Sequence, residues 1–330
     1  MSFEKTTKGC SRREVLAGAG LSALAVMLPS FGAHAAVDTA KVTIPAGPGG
    51  GWDRTGRLTM RAMQNEKLVG SVQFKNVAGG GGTIGLTEFV RTAKGDDTAL
   101  LITGVIMMSS VITAKSPISI DMTTPLASLT REYVGIGVPA DSSYKTVADL
   151  VRALKADPSS VTVGGSGIGS VEHLTLALMA QQNQVPLDKL NFITFSGNEY
   201  VPALVSGKIK AVMTGVSELK PLADAGRIRI IGVTSPQPLK GVNIPTLTSA
   251  GLDITVSNWR GVVGAPGMSE SAKAEWISKL DKLSKTPSWS EALAAQGLED
   301  AYMSGNVFAT FLKAENDRWT RTLTQLGLVK

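Results

Sequence analysis

The chain has 330 residues, 43% hydrophobic and 18% charged, with 33 Lys and Arg against 27 Asp and Glu for a net charge of +6. Such a balance supports a sizeable core and excludes disordered, collagenous and coiled-coil chains. One cysteine excludes a disulfide scaffold, and 17 aromatic residues without a clustered Lys/Arg footprint argue against a nucleic-acid partner. Glycine is the outlier, at 36 residues against an average usage of about 7%.

Residues 1–35 read as an address. Arg12-Arg13 precedes an apolar stretch from Leu16 to Leu28, followed by Pro29 and the small-residue site Ala33-His34-Ala35. This is the layout of a cleaved secretory signal of twin-arginine type, which places the mature chain in the periplasm. The apolar stretch is too short to cross a bilayer core of roughly 30 Å. Removing the segment takes away four basic and two acidic residues, leaving +4, and also Cys10 and His34. His173 then stands alone, so no thiolate or two-histidine metal site and no cofactor is expected. Any Ser-His-Asp triad would have to use His173.

In chain order, Lys41 to Ala46 patterns as a strand and Gly47-Pro48-Gly49-Gly50-Gly51 as a turn. A helix is expected over 53–66 with Asp53 as its N-cap. Ser71 to Val77 alternates like a strand, Gly79 to Gly82 is a turn, and a helix runs on through Arg91. Residues 98–114 carry no charge and read as strand, turn and short helix, because Thr103, Gly104, Ser109 and Ser110 interrupt any membrane span. The pattern then repeats. Strands are expected at 134–138, 161–164, 191–195, 210–214 and 229–234, and helices at 146–155, 170–182, 199–205 and 216–225. An extended piece follows at 254–264, then helices near 269–285, 288–295 and 304–325. Asp96-Asp97 and Glu299-Asp300 are expected as solvated loop residues. This alternation means an α/β fold with mainly parallel sheets flanked by helices. The strands before Pro139 and those after it each suffice for one sheet.

Three glycine runs, Gly47–Gly51, Gly79–Gly82 and Gly164–Gly169, share one position between a strand and a helix. Glycine there lets a ligand approach the main chain, and the helix N-terminus behind it offers free N–H groups and partial positive charge. Together they predict a site that holds a small anion by backbone amides. No Walker A spacing is present, and Ser170 stands where a dinucleotide fingerprint needs its third glycine.

Ile44-Pro45 leading into Pro48-Gly49-Gly50-Gly51-Trp52-Asp53, Gly79–Gly82 with Thr83-Ile84-Gly85, and Gly167-Ile168-Gly169-Ser170-Val171-Glu172-His173-Leu174 follow one another in a familiar order. With Phe195-Ser196-Gly197-Asn198-Glu199, Trp259–Gly267, Phe311, Arg318-Trp319 and Gly327 they resemble the solute receptors of tripartite tricarboxylate transporters, the Bug family. The resemblance covers essentially the whole mature chain.

It implies a monomeric, two-domain, periplasmic-binding-protein-like (type II) receptor with the ligand in an interdomain cleft. Domain 1 would be 36–138 plus 258–330 and domain 2 would be 139–257, with the membrane subunits of a transporter as partners. Gly49–Gly51 with Trp52-Asp53 and Asn258-Trp259-Arg260 resemble the tricarboxylate branch, which puts citrate first. Asn198 and Glu199 depart from that branch.

The expected ligand-binding residues are Pro48, Gly49, Gly50, Gly51, Trp52, Asp53, Gly81, Gly82, Thr83, Ser166, Gly167, Gly169, Ser170, His173, Asn198 and Arg260. Asp53 reads equally as a cap, Trp52 as core, His173 as a structural histidine and Arg260 as a salt-bridge partner. Ser166, Ser170, Thr83 and Asn198 also read as solvated turn residues. A sensor of the same ligand for a two-component system is an alternative. So is a hydrolase around His173, although Gly167-Ile168-Gly169-Ser170-Val171 lacks the nucleophile-elbow pattern.

Overall fold

The computed structural model describes residues 1–2, 37–195, 199–239 and 242–329. The leader expected over 1–35 therefore lies, beyond its first two residues, outside the described residues. No helix among the described residues is long and apolar enough to cross a membrane.

The elements run β1 (Thr39–Ile44), α1 (Gly51–Asn65), β2 (Ser71–Asn76), α2 (Thr83–Thr92), β3 (Ala99–Gly104) and α3 (Val105–Thr113). Then come β4 (Thr124–Pro139), α4 (Val147–Ala156), β5 (Thr162–Gly165), α5 (Val171–Gln182), β6 (Asn191–Thr194) and α6 (Tyr200–Val205). The chain continues with β7 (Ala211–Gly215), α7 (Val216–Asp224), β8 (Ile228–Val233) and β9 (Ser257–Gly264). It ends with α8 (Glu270–Ser284), α9 (Pro287–Ala295), β10 (Glu299–Ser304) and α10 (Gly305–Gln325).

The strands join in the order β2-β1-β3-β9-β4-β7-β5-β6, with β8 and β10 also paired to β4. The outer strands, each leading into a helix, pair in parallel: β2 and β3 on β1, β6 and β7 on β5. At the centre the pairings of β9 and β4 are antiparallel. The fully buried β3, ALLITG, shows why a continuous apolar run reads as an inner strand.

β4 is the element that pattern reading caught only at its end. Sixteen residues long, it begins ten residues before the expected strand. Pro125 and the charged pair Arg131-Glu132 break its apolar pattern, and its register with β9 shifts between Pro125 and Ala127 and again between Ser128 and Thr130. Its first part, up to Tyr133, pairs with β9, and from Val134 onward it pairs with β7 and β8. One strand thus runs through both halves of the sheet.

Two further expectations are corrected. Glu299-Asp300 opens β10, where Glu299 pairs with Arg131 at 3.2 Å across β4. Asp97 is not simply solvated: its carboxylate takes the N–H and hydroxyl of Ser269, both at 2.7 Å, at the N-cap of α8. The apolar face of α10 packs as its spacing predicts, with Phe308, Leu312, Trp319 and Leu323 buried.

Candidate functional site

The carboxyl ends of β1, β5 and β7 open on one cleft of about 920 Å³, the usual ligand position in an open α/β sheet. Gly49–Gly51, Trp52 and Arg54 form one wall, and Ser166, Glu172, Tyr200 and Glu218 the other. Asn258 and Arg260 line it between them. Strand alternation explains that placement. Asn258 and Arg260 are two apart on β9 and share a face, while Trp259 between them faces the core. Asn258 pairs with Glu132 in register, beside the point where β4 exchanges β9 for β7.

α1 starts at Gly51, with Gly50 as N-cap and no side-chain cap. Among the described residues no capping side chain takes up its first-turn amides at the cleft wall. Asp53 is not the N-cap. It sits three residues in, 4% exposed, and accepts from the Gly49 N–H, Arg57 Nε and Asn76 Nδ2, each at 2.9 Å. Burial pushes its carboxyl up, but the hydrogen bonds from Arg57, Asn76 and Gly49 outweigh it and hold the carboxyl below the usual aspartate value. Asp53 thus shapes the glycine loop from behind and does not line the cleft.

Arg260 is 8% exposed, and its Nη2 lies 3.4 Å from Glu132 Oε2. Its guanidinium packs on the backbone of Gly51, where an added Cβ would stand 2.9 Å from Nη2. A buried cation, paired with Glu132, thus sits beside the positive end of a helix, an arrangement that can attract an anion. Burial pushes Glu132 upward, Arg260 pulls it down, and the charges of Glu218 and Glu172 push it further up, for a net rise.

The other expected residues divide by place. Gly49, Gly50, Gly51, Trp52, Ser166 and Arg260 line the cleft. Pro48 is exposed beside it. Gly79 to Gly82 all have positive φ, which explains four successive glycines. Gly81 packs on Ser110, and Gly82 packs under the Trp52 ring, where an added Cβ would meet Cη2 at 2.9 Å. Thr83 turns its hydroxyl onto the Gly80 carbonyl. This second glycine run therefore seats Trp52, which is both buried and part of the cleft wall.

Gly167 and Gly169 form the turn before α5, and the Gly169 carbonyl accepts from the Ser109 hydroxyl at 2.9 Å. Ser170 is the N-cap of α5. His173 accepts the Gly169 N–H on Nδ1 at 3.1 Å, packs on Phe192 and is held below the usual histidine value by burial. Gly81, Gly82, Thr83, Gly167, Gly169, Ser170 and His173 support the walls instead of lining them. Asn198 lies outside the described residues.

Glu172, Glu218, Arg54, Tyr200 and Asn258 complete the cleft and were not among the expected ligand residues, although Glu172 and Asn258 lie within motifs that carry the resemblance. Glu172 and Glu218 look like ordinary first-turn helix acids. Only the sheet order brings them opposite α1. No group of three His, Cys, Asp or Glu among the described residues is arranged to hold a metal ion.

A cleft at the strand ends, walled by glycine turns and helix N-termini, defines a solute-binding receptor. Residues 57–328 match the model of the tripartite tricarboxylate transporter family receptor, and the chain belongs to that family. It is 29% identical to a UPF0065 protein from the tcbD–tcbE intergenic region of Pseudomonas sp. (strain P51), over 96% of this chain and 95% of that one. The fold is similar to a TctC solute-binding protein from Polaromonas, at TM-score 0.71 and 25% identity over 87% of this chain and 98% of the other. It is also similar to MatC from Rhodopseudomonas palustris with bound malate, at TM-score 0.73 and 21% identity over 86% and 98%. An R. palustris protein with adipate matches at TM-score 0.74 and 21% identity over 88% and 97%.

Proposed function

We propose that this chain is a periplasmic receptor, exported by its twin-arginine leader, that captures a small organic carboxylate and delivers it to the membrane subunits of a tripartite transporter. The uncapped N-terminus of α1 with the Arg260 guanidinium packed against it carries the reading. Both attract one carboxylate, and the side-chain fork of arginine suits two oxygens. The two domains are 36–138 plus 258–330 and 139–257, and closure of one on the other is the signal passed on.

The sequence resemblance names citrate first. Malate and adipate, the acids held by two structural relatives, are dicarboxylates. Glu172 and Glu218 on the facing wall oppose a third carboxylate, so acids with one or two carboxylates rank ahead of citrate.

Melting of the protein with citrate, tricarballylate, succinate, malate, adipate and nicotinate tests this. A ligand at 100 times its Kd adds about 2.7 kcal/mol to native stability and raises Tm by several degrees. A shift with a mono- or dicarboxylate supports the reading. Absence of any shift across the six acids, and with aspartate and glutamate as well, overturns it.

A further inference from the structure

Resting on that reading, we propose that the ligand bears a positively charged nitrogen as well as a carboxylate, an amino-acid-like zwitterion whose nitrogen is received by Glu172. The carboxylate goes to the α1 N-terminus on the opposite wall and to Arg260 between the walls.

Among the described residues, the charges lining the cleft pair off except for one. Arg260 takes Glu132 at 3.4 Å, Arg54 takes Glu218 at 3.8 Å, and Lys220 takes Asp224 at 2.6 Å. Glu172 is 5% exposed, lines the cleft and has no cation partner among the described residues. Its neighbours are hydroxyls: Ser166 donates to Oε2 at 2.8 Å, and Ser170 bonds it as well. Two hydroxyls and the first turn of α5 soften a buried charge but do not neutralise it. Burial accordingly pushes the Glu172 carboxyl above the usual glutamate value. A buried carboxylate without a counter-charge costs several kcal/mol, and a ligand cation removes that cost on binding.

A second observation points the same way. Asn258 is 8% exposed and lines the cleft, and its Oδ1 has no hydrogen-bond partner among the described residues. Asn258, whose Oδ1 lacks a donor, and Glu172, without a cation among the described residues, are both lining residues of one cavity. An ammonium group, with three N–H donors and no acceptor, answers both needs. A purely anionic ligand answers neither and brings its charge toward Glu172 and Glu218.

The test is isothermal calorimetry of the full chain at pH 7 with acids matched in size and differing in the nitrogen. The pairs are succinate and aspartate, glutarate and glutamate, and 3-phenylpropionate and phenylalanine. The expected result is that at least one amino acid binds at least tenfold tighter than its nitrogen-free partner. In a Glu172→Gln variant that advantage falls below threefold, while the nitrogen-free acid binds at least as well as before. Equal or tighter binding of the nitrogen-free acid in every pair overturns the proposal and leaves the carboxylate receptor standing. An advantage that survives Glu172→Gln also overturns it. Binding of none of the six overturns the proposal, and the carboxylate reading then stands or falls on the melting panel. The wild-type comparison needs no variant, so the proposal stays falsifiable even if Glu172→Gln fails to fold.

Discussion

The guanidinium of Arg260 lies against the backbone of Gly51 so closely that a single methyl group on Gly51 would stand 2.9 Å from Nη2 and 3.2 Å from Cζ. Gly51 is the first residue of α1 and does not have positive φ. Its lack of a side chain is therefore required by Arg260, not by the turn. Gly51→Ala keeps a helical backbone and gains helix propensity, but it pushes Arg260 off the anion site. The expected outcome is a melting temperature within a few degrees of wild type and at least a tenfold loss in affinity for the tightest-binding acid, read by calorimetry. Unchanged affinity would remove Arg260 from the site.

Arg260 also neutralises Glu132 in a pair where both side chains are 9% exposed. Removing one partner of a buried pair typically costs about 3–5 kcal/mol, because the other charge is left stranded. Glu132 is already pushed toward its protonated form by burial, and protonation caps the loss. Arg260→Met is expected to lose about 2–4 kcal/mol of stability at pH 8 and less at pH 5, because the stranded, upward-shifted Glu132 is more readily protonated as pH falls. Urea unfolding at the two pH values reads the difference. A loss independent of pH would mean that Glu132 does not titrate in the variant.

Glu172 makes stability fall as pH rises. Its folded-state pKa lies above the ordinary value of 4.5, so just above that value the native protein holds a proton that the unfolded chain has released. The contribution is complete below the ordinary glutamate range and is lost as pH climbs through the raised value. Glu172→Gln abolishes this dependence. Melting curves of the ligand-free protein between pH 4.5 and 8 are expected to show the variant gaining on wild type as pH increases. A constant gap would show that Glu172 ionises normally. Asp53 acts on the acid side. Its pKa is lowered, so its contribution is present above 3.8 and disappears as pH falls below that.

Behind the cleft, Glu315 ties β9 to α10. One oxygen, Oε2, accepts the indole N–H of Trp259 at 3.1 Å and of Trp319 at 3.2 Å, and Arg318 Nη2 at 3.0 Å. Trp259 packs edge-on against Phe308 and Phe311 on the same helix. Glu315→Ala strands two buried indole donors, each costing about 1–3 kcal/mol. The expected loss is about 2–5 kcal/mol by urea unfolding, with Glu315→Gln recovering part of it. Because Trp259 neighbours Arg260, the alanine variant is also expected to bind acids more weakly. Full stability in Glu315→Ala would show that water replaces the carboxylate.

Much of the fold was legible from local pattern. β2 alternates, β3 and β7 are short apolar runs, and helices such as α4 and α5 start at a capping Thr or Ser; each lies within a few residues of its expected place. β10 and the first part of β4 were not legible. Their polar residues pair across the sheet, Glu299 with Arg131, and a cross-strand ion pair leaves no periodic mark in either strand alone.

The candidate site divides along the same line. Glycine runs after strands predict, from sequence alone, that helix N-termini open on a cleft, because backbone conformation and the helix dipole are local properties. The resemblance of its neighbours made Arg260 either a ligand residue or a salt-bridge partner, and the structure pairs it with Glu132 at the cleft. Whether a given residue touches the cleft depended on the tertiary structure. Asp53, Ser170 and His173 turn their polar atoms onto the backbone of their own turns, while Gly51 and Arg260, far apart in the chain, meet only because β9 lies between β3 and β4. The acidic wall of Glu172 and Glu218 arises the same way. Each is an unremarked first-turn acid in its own helix, and only the order of β7 and β5 in the sheet sets both against α1, since electrostatic potential sums over neighbours in space and not along the chain.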